Sequence, residues 1–450
     1  MTNYIFDIST SARWSGHPVG IVRVERELAR RAQRYLGKDV AFSVFNLNTN
    51  DFHIVNDRYI DAILNGELNI DFGQALSGPV AGSLRRHLRD IALEFPLVYR
   101  LVQRMRGYRF TAPEVRAIRD QIRSLAATKS SARTLVALDE ATKEIAELTT
   151  STAVISGGLD WEYKNVRQIY HLKAKTGFRY FSIVYDLIPV NLPQYVVPHY
   201  VTLLNEYFGE LLWASDGCLC ISKTTQDDLQ QFCRANNVDR FPTKAFPLGS
   251  DLQHDDSQHD LPFELNGKKF VLYVSTIEPR KNHRTLYEAW CHGLLSAKLD
   301  ASLDRLVFIG RQGWNTGDLV HEMKTNPLTK DTILIFENVS DGLLDELYRK
   351  SAFVVFPSYY EGFGLPLAEA FARGKVCVTS GAGALKEIGP SYRIDVDPRD
   401  VLGWSSVISE LLADREKVLE LEKTIQTNYQ STSWDQSARS FYDALISMTA

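Results

Sequence analysis

Apolar and polar positions alternate along the chain in short blocks that read as strands and helices in turn. The opening apolar run Tyr4 to Ile8 predicts a strand. The glycine-containing turn SGHPVG follows it, and helical spacing holds from about Gly20 to Tyr35. Further strands are expected at Val40 to Phe45 and at Phe178 to Tyr185, just before DLIP. The stretch LLWASDGCLCISKTTQDDLQQFC reads as a helix end, a short strand and a second helix. Later in the chain FVLYVS, LVFIG, TILIF, AFVVFP and KVCVTS form a succession of short apolar runs. Helical patterns near Lys281 to Trp290, Asp341 to Lys350 and Pro366 to Arg373 separate several of them. That alternation predicts a parallel sheet covered on both faces.

Two regions break the rhythm. Roughly residues 57–148 look like an insertion, mainly helical in pattern, with Leu84, Leu88, Ile91 and Phe95 at helical spacing. Arg85, Arg86 and Arg89 populate its other faces, and Arg100, Arg104, Arg106 and Arg109 follow. A solvated helical hairpin and a surface for an anionic lipid head group or acceptor both fit that pattern. The second break, GSDLQHDDSQHDLPFELNGKK, is polar and rich in turn residues, and it is the best linker candidate. The expected fold is therefore α/β, two Rossmann-like domains with a ligand crevice between them.

Composition adds bounds. A chain of 450 residues is long enough for two cores. With 51 basic and 55 acidic side chains the formal charge is −4, so nothing global favours a polyanion, and no nucleic-acid partner is expected. Cys218, Cys220, Cys233, Cys291 and Cys377 match neither a disulfide scaffold nor a closed zinc site, and reduced core thiols are expected. No metal site is expected. The start MTNYIFDIST has no secretory pattern, so a cytoplasmic location is expected, with peripheral attachment to the inner membrane through the arginine-bearing insertion left open.

The most informative segment is PSYYEGFGLPLAE, Pro357 to Glu369. Pro366 suits the first turn of a helix, which puts Glu361 in the preceding loop and Glu369 one turn inside. Gly362 and Gly364 allow backbone to approach a ligand closely, and amides at the helix start favour phosphate or another anion. Eight helical positions span about 12 Å, so the two glutamates suit opposite ends of one elongated ligand better than a shared grip on one atom. Ionised carboxylates accept strong hydrogen bonds from hydroxyl pairs. The plainer reading makes both surface residues flanking a helix start. Arg280 and Lys281, directly after a predicted strand and the turn IEP, offer a planar fork and a compact charge suited to a diphosphate, or simply a surface basic pair.

YEGFGLPLAE resembles the paired-glutamate signature of family 4 glycosyltransferases, with Glu361 and Glu369 matching both positions. YVSTIEPRKNHRTLYEAW, VSDGLLDELYRKSAFVVFPS, CISKTTQDDL, YQSTSWDQSA and GIVRVERELA are similar to other ordered motifs of that family. Together they cover most of the chain outside the insertion. The resemblance implies the GT-B architecture: an acceptor-side domain over residues 1–255, a nucleotide-sugar domain over 256–430, and a C-terminal helix over 431–450 that crosses back to the first domain. It implies retention of anomeric configuration without an obligatory metal. Arg280 and Lys281 would stabilise the leaving diphosphate, Glu361 would hold the transferred sugar and Glu369 the ribose. Gly310, the main chain of Asn338 and Val339, and the Gly362, Phe363, Gly364, Leu365 turn would line the donor site. Glu278 suits a salt-bridge scaffold or an acceptor contact, and Arg311 follows the Gly310 strand end.

On the acceptor side, Gly16, Gly20 and Arg23 would reach a phosphate from across the cleft, while His17 suits acceptor contact or loop packing. YDLIPVNLP departs from the family pattern: a histidine commonly precedes the aspartate, and here Tyr185 stands before Asp186. A phenol donates and accepts hydrogen bonds but does not exchange protons near neutral pH as imidazole does. The overall pattern resembles bacterial mannosyltransferases of surface polysaccharide synthesis, which makes GDP-mannose the first expected donor. UDP-glucose, UDP-N-acetylglucosamine and a deoxysugar nucleotide are alternatives, and the expected acceptor is a growing glycan or a lipid-linked saccharide. Two other classes stand as alternatives, a two-carboxylate glycoside hydrolase and a noncatalytic carbohydrate-binding protein.

Overall fold

The computed structural model describes residues 2–14, 20–73, 134–251 and 259–449. Its first sheet contains β1 (Asn3–Asp7), β2 (Ala41–Asn46), β3 (Asp51–Val55), β6 (Thr142–Ile145), β7 (Thr152–Ser156), β8 (Arg179–Val184), β9 (Gly217–Cys220) and β10 (Thr243–Ala245). The spatial order is β10-β9-β8-β7-β1-β2-β3-β6. All neighbours are parallel except at β3, which runs antiparallel to both β2 and β6. Strands β4 (Leu68–Asp71) and β5 (Thr134–Ala137) form a separate parallel pair.

The second sheet is wholly parallel, with β11 (Lys269–Val274), β12 (Asp304–Ile309), β13 (Ile333–Phe336), β14 (Phe353–Phe356), β15 (Cys377–Thr379) and β16 (Arg393–Asp395). Its order, β13-β12-β11-β14-β15-β16, reverses direction at β11. The first sheet reverses at β1. In such sheets the chain leaves a crevice at the carboxyl ends of the strands on either side of the reversal, and ligands bind there. The apolar runs of β11, β12 and β14 are buried on both faces, as a helix-covered parallel sheet requires.

The last helix, Trp434–Thr449, belongs by packing to the first domain. Phe441, Tyr442 and Leu445 are fully buried in its core, and the Tyr442 hydroxyl donates to the Leu28 carbonyl at 2.7 Å. The two chain crossings lie side by side: Ser250 N–H donates to the Thr432 carbonyl at 2.9 Å, and Trp434 N–H to Asp251 at 2.7 Å. A Cβ on Gly249 would come within 2.6 Å of Trp434, so the crossing requires glycine there.

The expected insertion differs at its margins. Residues 57–148 open with the helix Asp57–Asn65, but β4, β5 and β6 follow where a mainly helical pattern was expected. These strands are four residues long and partly exposed, so they lack the continuous apolar run that marks a buried strand. Residues 74–133, with Leu84 to Arg109, lie outside the described residues. Among the described residues no helix is long and apolar enough to cross a membrane, and the five cysteines are free, four of them buried.

Candidate functional site

Most of the donor-side residues singled out in the sequence sit just beyond the carboxyl ends of adjacent strands of the second sheet. After β11 the chain makes a single turn of 3₁₀ helix, Pro279–Lys281, and Asn282 adopts a left-handed conformation (φ 58°) before the helix His283–Leu295. The Asn282 amide donates to the carbonyls of Pro357 and Pro398, at 3.0 and 2.7 Å. This turn aims Arg280 and Lys281 at the segment after β14. There Glu361 receives Arg280 Nη1 at 2.8 Å and Lys281 Nζ at 2.6 and 2.9 Å. Arg280 also binds the Tyr360 carbonyl and Glu278, both at 2.8 Å.

Burial alone would raise the Glu361 carboxyl, but the charges of Lys281 and Arg280 overrule it and hold it down at about 2. Burial likewise works against the Arg280 charge, yet Glu361, Glu278 and Asp186 raise its proton affinity above the ordinary guanidinium value. For Glu278 burial prevails and the carboxyl is raised. The cluster is thus two cations around a firmly ionised carboxylate. Both cations stay partly exposed, with side chains 14% and 17% accessible, and Arg280 lines a pocket shared with the first domain.

The loop after Glu361 is held by close backbone contacts. A Cβ on Gly383 would lie 2.5 Å from the Glu361 carbonyl oxygen, and Gly383 has a φ of 61°. Gly364 (φ 105°) precedes the helix Leu365–Ala372, with Pro366 in its first turn. Glu369 is buried in that helix and accepts from Tyr348 at 3.2 Å and from Arg23 of the first domain at 2.7 Å. Gly310 (φ 151°) packs on the Ser275 carbonyl beyond β12, and Asn338 (φ 56°) and Val339 follow β13. These stand at neighbouring strand ends and outside the charge cluster. Leu365 and Phe363 are half-buried and pack against the first-domain core.

From the first domain, Asp186 lies beyond β8, close enough that Arg280, Lys281 and Glu361 all act on its carboxyl. Burial is the larger influence and raises it, and Ile188 N–H donates to it at 3.0 Å. Tyr185 is committed elsewhere: its hydroxyl donates to the Gly157 carbonyl, and burial raises it well above the usual phenol value. Gly20 (φ 52°) precedes the helix Ile21–Leu36, which carries Arg23. Gly16 and His17 lie outside the described residues. Arg311 is exposed.

The domains also meet through residues not predicted from the sequence. Thr225 donates to the Tyr185 and Gly362 carbonyls, at 3.2 and 3.1 Å, and a Cβ on Gly362 would lie 2.2 Å from the Tyr185 carbonyl oxygen. Tyr360 donates to Asp228 at 2.8 Å, and Glu387 accepts the Lys223 and Thr224 amides at 2.9 and 2.6 Å. Trp314 donates to the Tyr195 carbonyl at 3.1 Å. Nothing in their local sequence marks these pairings, and those that cross between the domains join residues more than a hundred positions apart. Among the described residues no group of three or more His, Cys, Asp or Glu is placed to hold a metal ion.

Residues 256–428, which hold the second sheet and the charge cluster, match the family model of glycosyl transferases group 1. Two solved structures extend over the whole chain. One is Anabaena HepE in complex with UDP and glucose, with a TM-score of 0.60 at 14% identity, covering 99% of this chain and 100% of that one. The other is sucrose-phosphate synthase from Thermosynechococcus elongatus, with a TM-score of 0.60 at 16% identity, covering 100% and 99%.

The fold is GT-B, two Rossmann-like domains facing across a cleft. In sequence the chain is related to the serotype-specific mannosyltransferase WbdA of Escherichia coli, 28% identical over 244 residues, which are 50% of this chain and 29% of WbdA. It is also related to the O-antigen chain mannosyltransferase B of Escherichia coli, 27% identical over 240 residues, 52% of this chain and 62% of that protein. The match therefore spans less than a third of WbdA.

Proposed function

We propose that this chain is a retaining glycosyltransferase that moves a hexose from a nucleotide diphosphate sugar to a growing glycan or lipid-linked saccharide. The observation that carries the reading is the convergence of Arg280 and Lys281 on Glu361 beyond β11 and β14, with Arg280 also lining a pocket shared with the first domain. As the bond from the anomeric carbon to the phosphate oxygen breaks, negative charge collects on the diphosphate. Two cations aimed there favour the transition state over the bound substrate. The acceptor hydroxyl attacks from the face the diphosphate leaves, and its proton passes to a phosphate oxygen, so the configuration is retained.

Glu361 is already ionised, and it holds the two cations in place while its oxygens face the sugar hydroxyls. A carboxyl held at about 2 has no proton to give at neutral pH, which argues against the acid of a glycoside hydrolase. Glu369 takes the ribose hydroxyls, and the Gly310, Asn338, Val339 and Gly364 backbones line the nucleotide.

GDP-mannose leads the donor candidates because the relatives WbdA and O-antigen chain mannosyltransferase B are named for mannosyl transfer. UDP-glucose, UDP-N-acetylglucosamine and a deoxysugar nucleotide stand beside it. The test is a donor panel read by nucleotide release, followed by linkage and anomer analysis of the product. One donor is expected to dominate, with the anomer of the donor kept in the product. No release with any donor and acceptor would sink the proposal, and an inverted product would sink its mechanism.

A further inference from the structure

Beside the charge cluster a pocket of about 240 Å³ opens between the first domain and the Arg280 turn. Its walls are the aliphatic and aromatic side chains of Trp161, Val196, Leu204, Tyr207, Phe208 and Trp314. Asp186 and Arg280 stand in the same lining. Most of the other polar side-chain atoms of the walls are already used, the Trp161 indole N–H being an exception among the described residues. The Tyr185 hydroxyl binds the Gly157 carbonyl, that of Tyr200 donates to Glu162 at 2.7 Å, Tyr207 lies 3.4 Å from the Ser182 hydroxyl, and Trp314 Nε1 donates to the Tyr195 carbonyl. Asp186 has one oxygen on the Ile188 amide.

Among the described residues, a fully hydroxylated hexose pushed into this space would find its partners mainly at the Asp186 and Arg280 side, with few others along the apolar walls. Each hydroxyl left unpaired costs on the order of tenfold in affinity. An apolar group meets no such cost and gains from leaving water. The volume suits a small substituent and not a long chain.

We propose that this pocket receives an apolar substituent on the acceptor sugar ring, a deoxy methyl or an N-acyl methyl, while Asp186 accepts the hydrogen bond of a neighbouring hydroxyl. The inference rests on the glycosyltransferase reading and names its acceptor: the terminal residue is a 6-deoxy or N-acylated sugar. Asp186 fixes the hydroxyl beside Arg280, and the pocket fixes the ring's orientation.

The test uses the full chain and three pairs of methyl glycosides: a 6-deoxy sugar against its parent hexose, an N-acetylated sugar against its hydroxyl counterpart, and an octyl against a methyl aglycone. Affinity is measured by titration, which needs no turnover, and kcat/KM is then measured with the donor that the panel selects. One of the first two pairs is expected to favour the substituted sugar about tenfold or more.

Val196→Phe, which fills the pocket, is expected to bring that ratio close to one. Because each ratio is taken within one variant, lost folding or donor binding cancels. Ratios near one in the natural protein overturn the proposal, as does a preference that survives Val196→Phe. An advantage confined to the octyl pair overturns it too, since it puts the apolar group on the aglycone. Failure of the glycosyltransferase reading looks different: no donor releases nucleotide, while the binding ratios still report on the pocket.

Discussion

The two domains share an architecture but treat a buried glutamate in opposite ways. Glu25, on the helix after β1, is fully buried and among the described residues receives only the Ser11 amide at 2.7 Å and the Ser11 hydroxyl. Its other oxygen has no hydrogen-bond partner among the described residues, and burial lifts the carboxyl to about 7. Glu361, beyond β14, is almost as buried but sits between two cations and falls to about 2. The first domain uses its nearby cation internally: Lys164 Nζ binds Asp7 and Asp160, each at 2.8 Å, with all three side chains almost fully buried. The second domain instead brings its cations to the cleft. The contrast separates a domain that neutralises its own crevice from one that holds charge ready for a ligand.

The largest expected effect lies on the first side of that contrast. Lys164→Met leaves Asp7 and Asp160 buried without their cation, and removing one partner of a buried ion pair costs about 3–5 kcal/mol. Urea unfolding followed through a first-domain probe is expected to show that loss. A change under about 1 kcal/mol would mean that the network is dispensable and that the contrast with the cleft is only one of position. On the second side, Arg280→Ala removes a charge from the cleft cluster while Lys281 still pairs with Glu361. It is expected to lower kcat by roughly 10²–10³ with the fold intact, the size found for a lost oxyanion donor. An unchanged kcat would remove the leaving-group role.

The two glutamates also predict opposite responses to pH. A carboxyl near 7 in the folded state, against about 4.3 unfolded, binds its proton more tightly when folded. Its stabilising effect is complete below about pH 4 and is lost as pH rises to about 7, a change on the order of 3 kcal/mol. Glu361 runs the other way. Its contribution is present above the unfolded value and disappears as pH falls through about 2. Glu25→Gln keeps the oxygen that faces Ser11 and removes the buried charge. At pH 8 it is expected to gain about 2 kcal/mol, and at pH 4.5 almost nothing, by denaturation at each pH. An equal change at both values would show that Glu25 is not the titrating group.

What was legible in the sequence follows the same divide. The second domain's strands are continuous apolar runs, so β11, β12, β13 and β14 could be read directly, and the residues after them carry unusual chemistry in a short span. Arg280, Lys281 and Glu361 were visible because a cation pair after one strand and a glycine-flanked glutamate after another are both local patterns. The first domain hides more. β6 is an antiparallel edge strand of largely polar sequence, β3 beside it is only partly buried, and β7 is buried but its apolar run is three residues, Ala153 to Ile155, so none carries the unbroken run that marks β11 to β14. The Lys164 network and the Thr225 and Glu387 contacts depend on which strand ends meet. That is a property of strand order, and no local window contains it.

The smallest predicted effect tests the closest ion pair that joins the two regions among the described residues. Arg23 reaches across the cleft from the first domain to Glu369, and Tyr348 holds the other Glu369 oxygen. If Glu369 takes ribose hydroxyls, Arg23 competes for one of those oxygens whenever the donor is absent. Arg23 is also 3.6 Å from Asp341, too far for a strong pair, so its hold on the second domain rests mainly on Glu369. Arg23→Ala therefore frees the carboxylate, and binding of the donor's nucleoside diphosphate, measured by calorimetry, is expected to tighten about threefold, worth about 0.6 kcal/mol. Tenfold weaker binding would reverse the assignment: Arg23 would then act on the phosphates from the first domain, and the division between a self-neutralised domain and a charged cleft would run through this arginine.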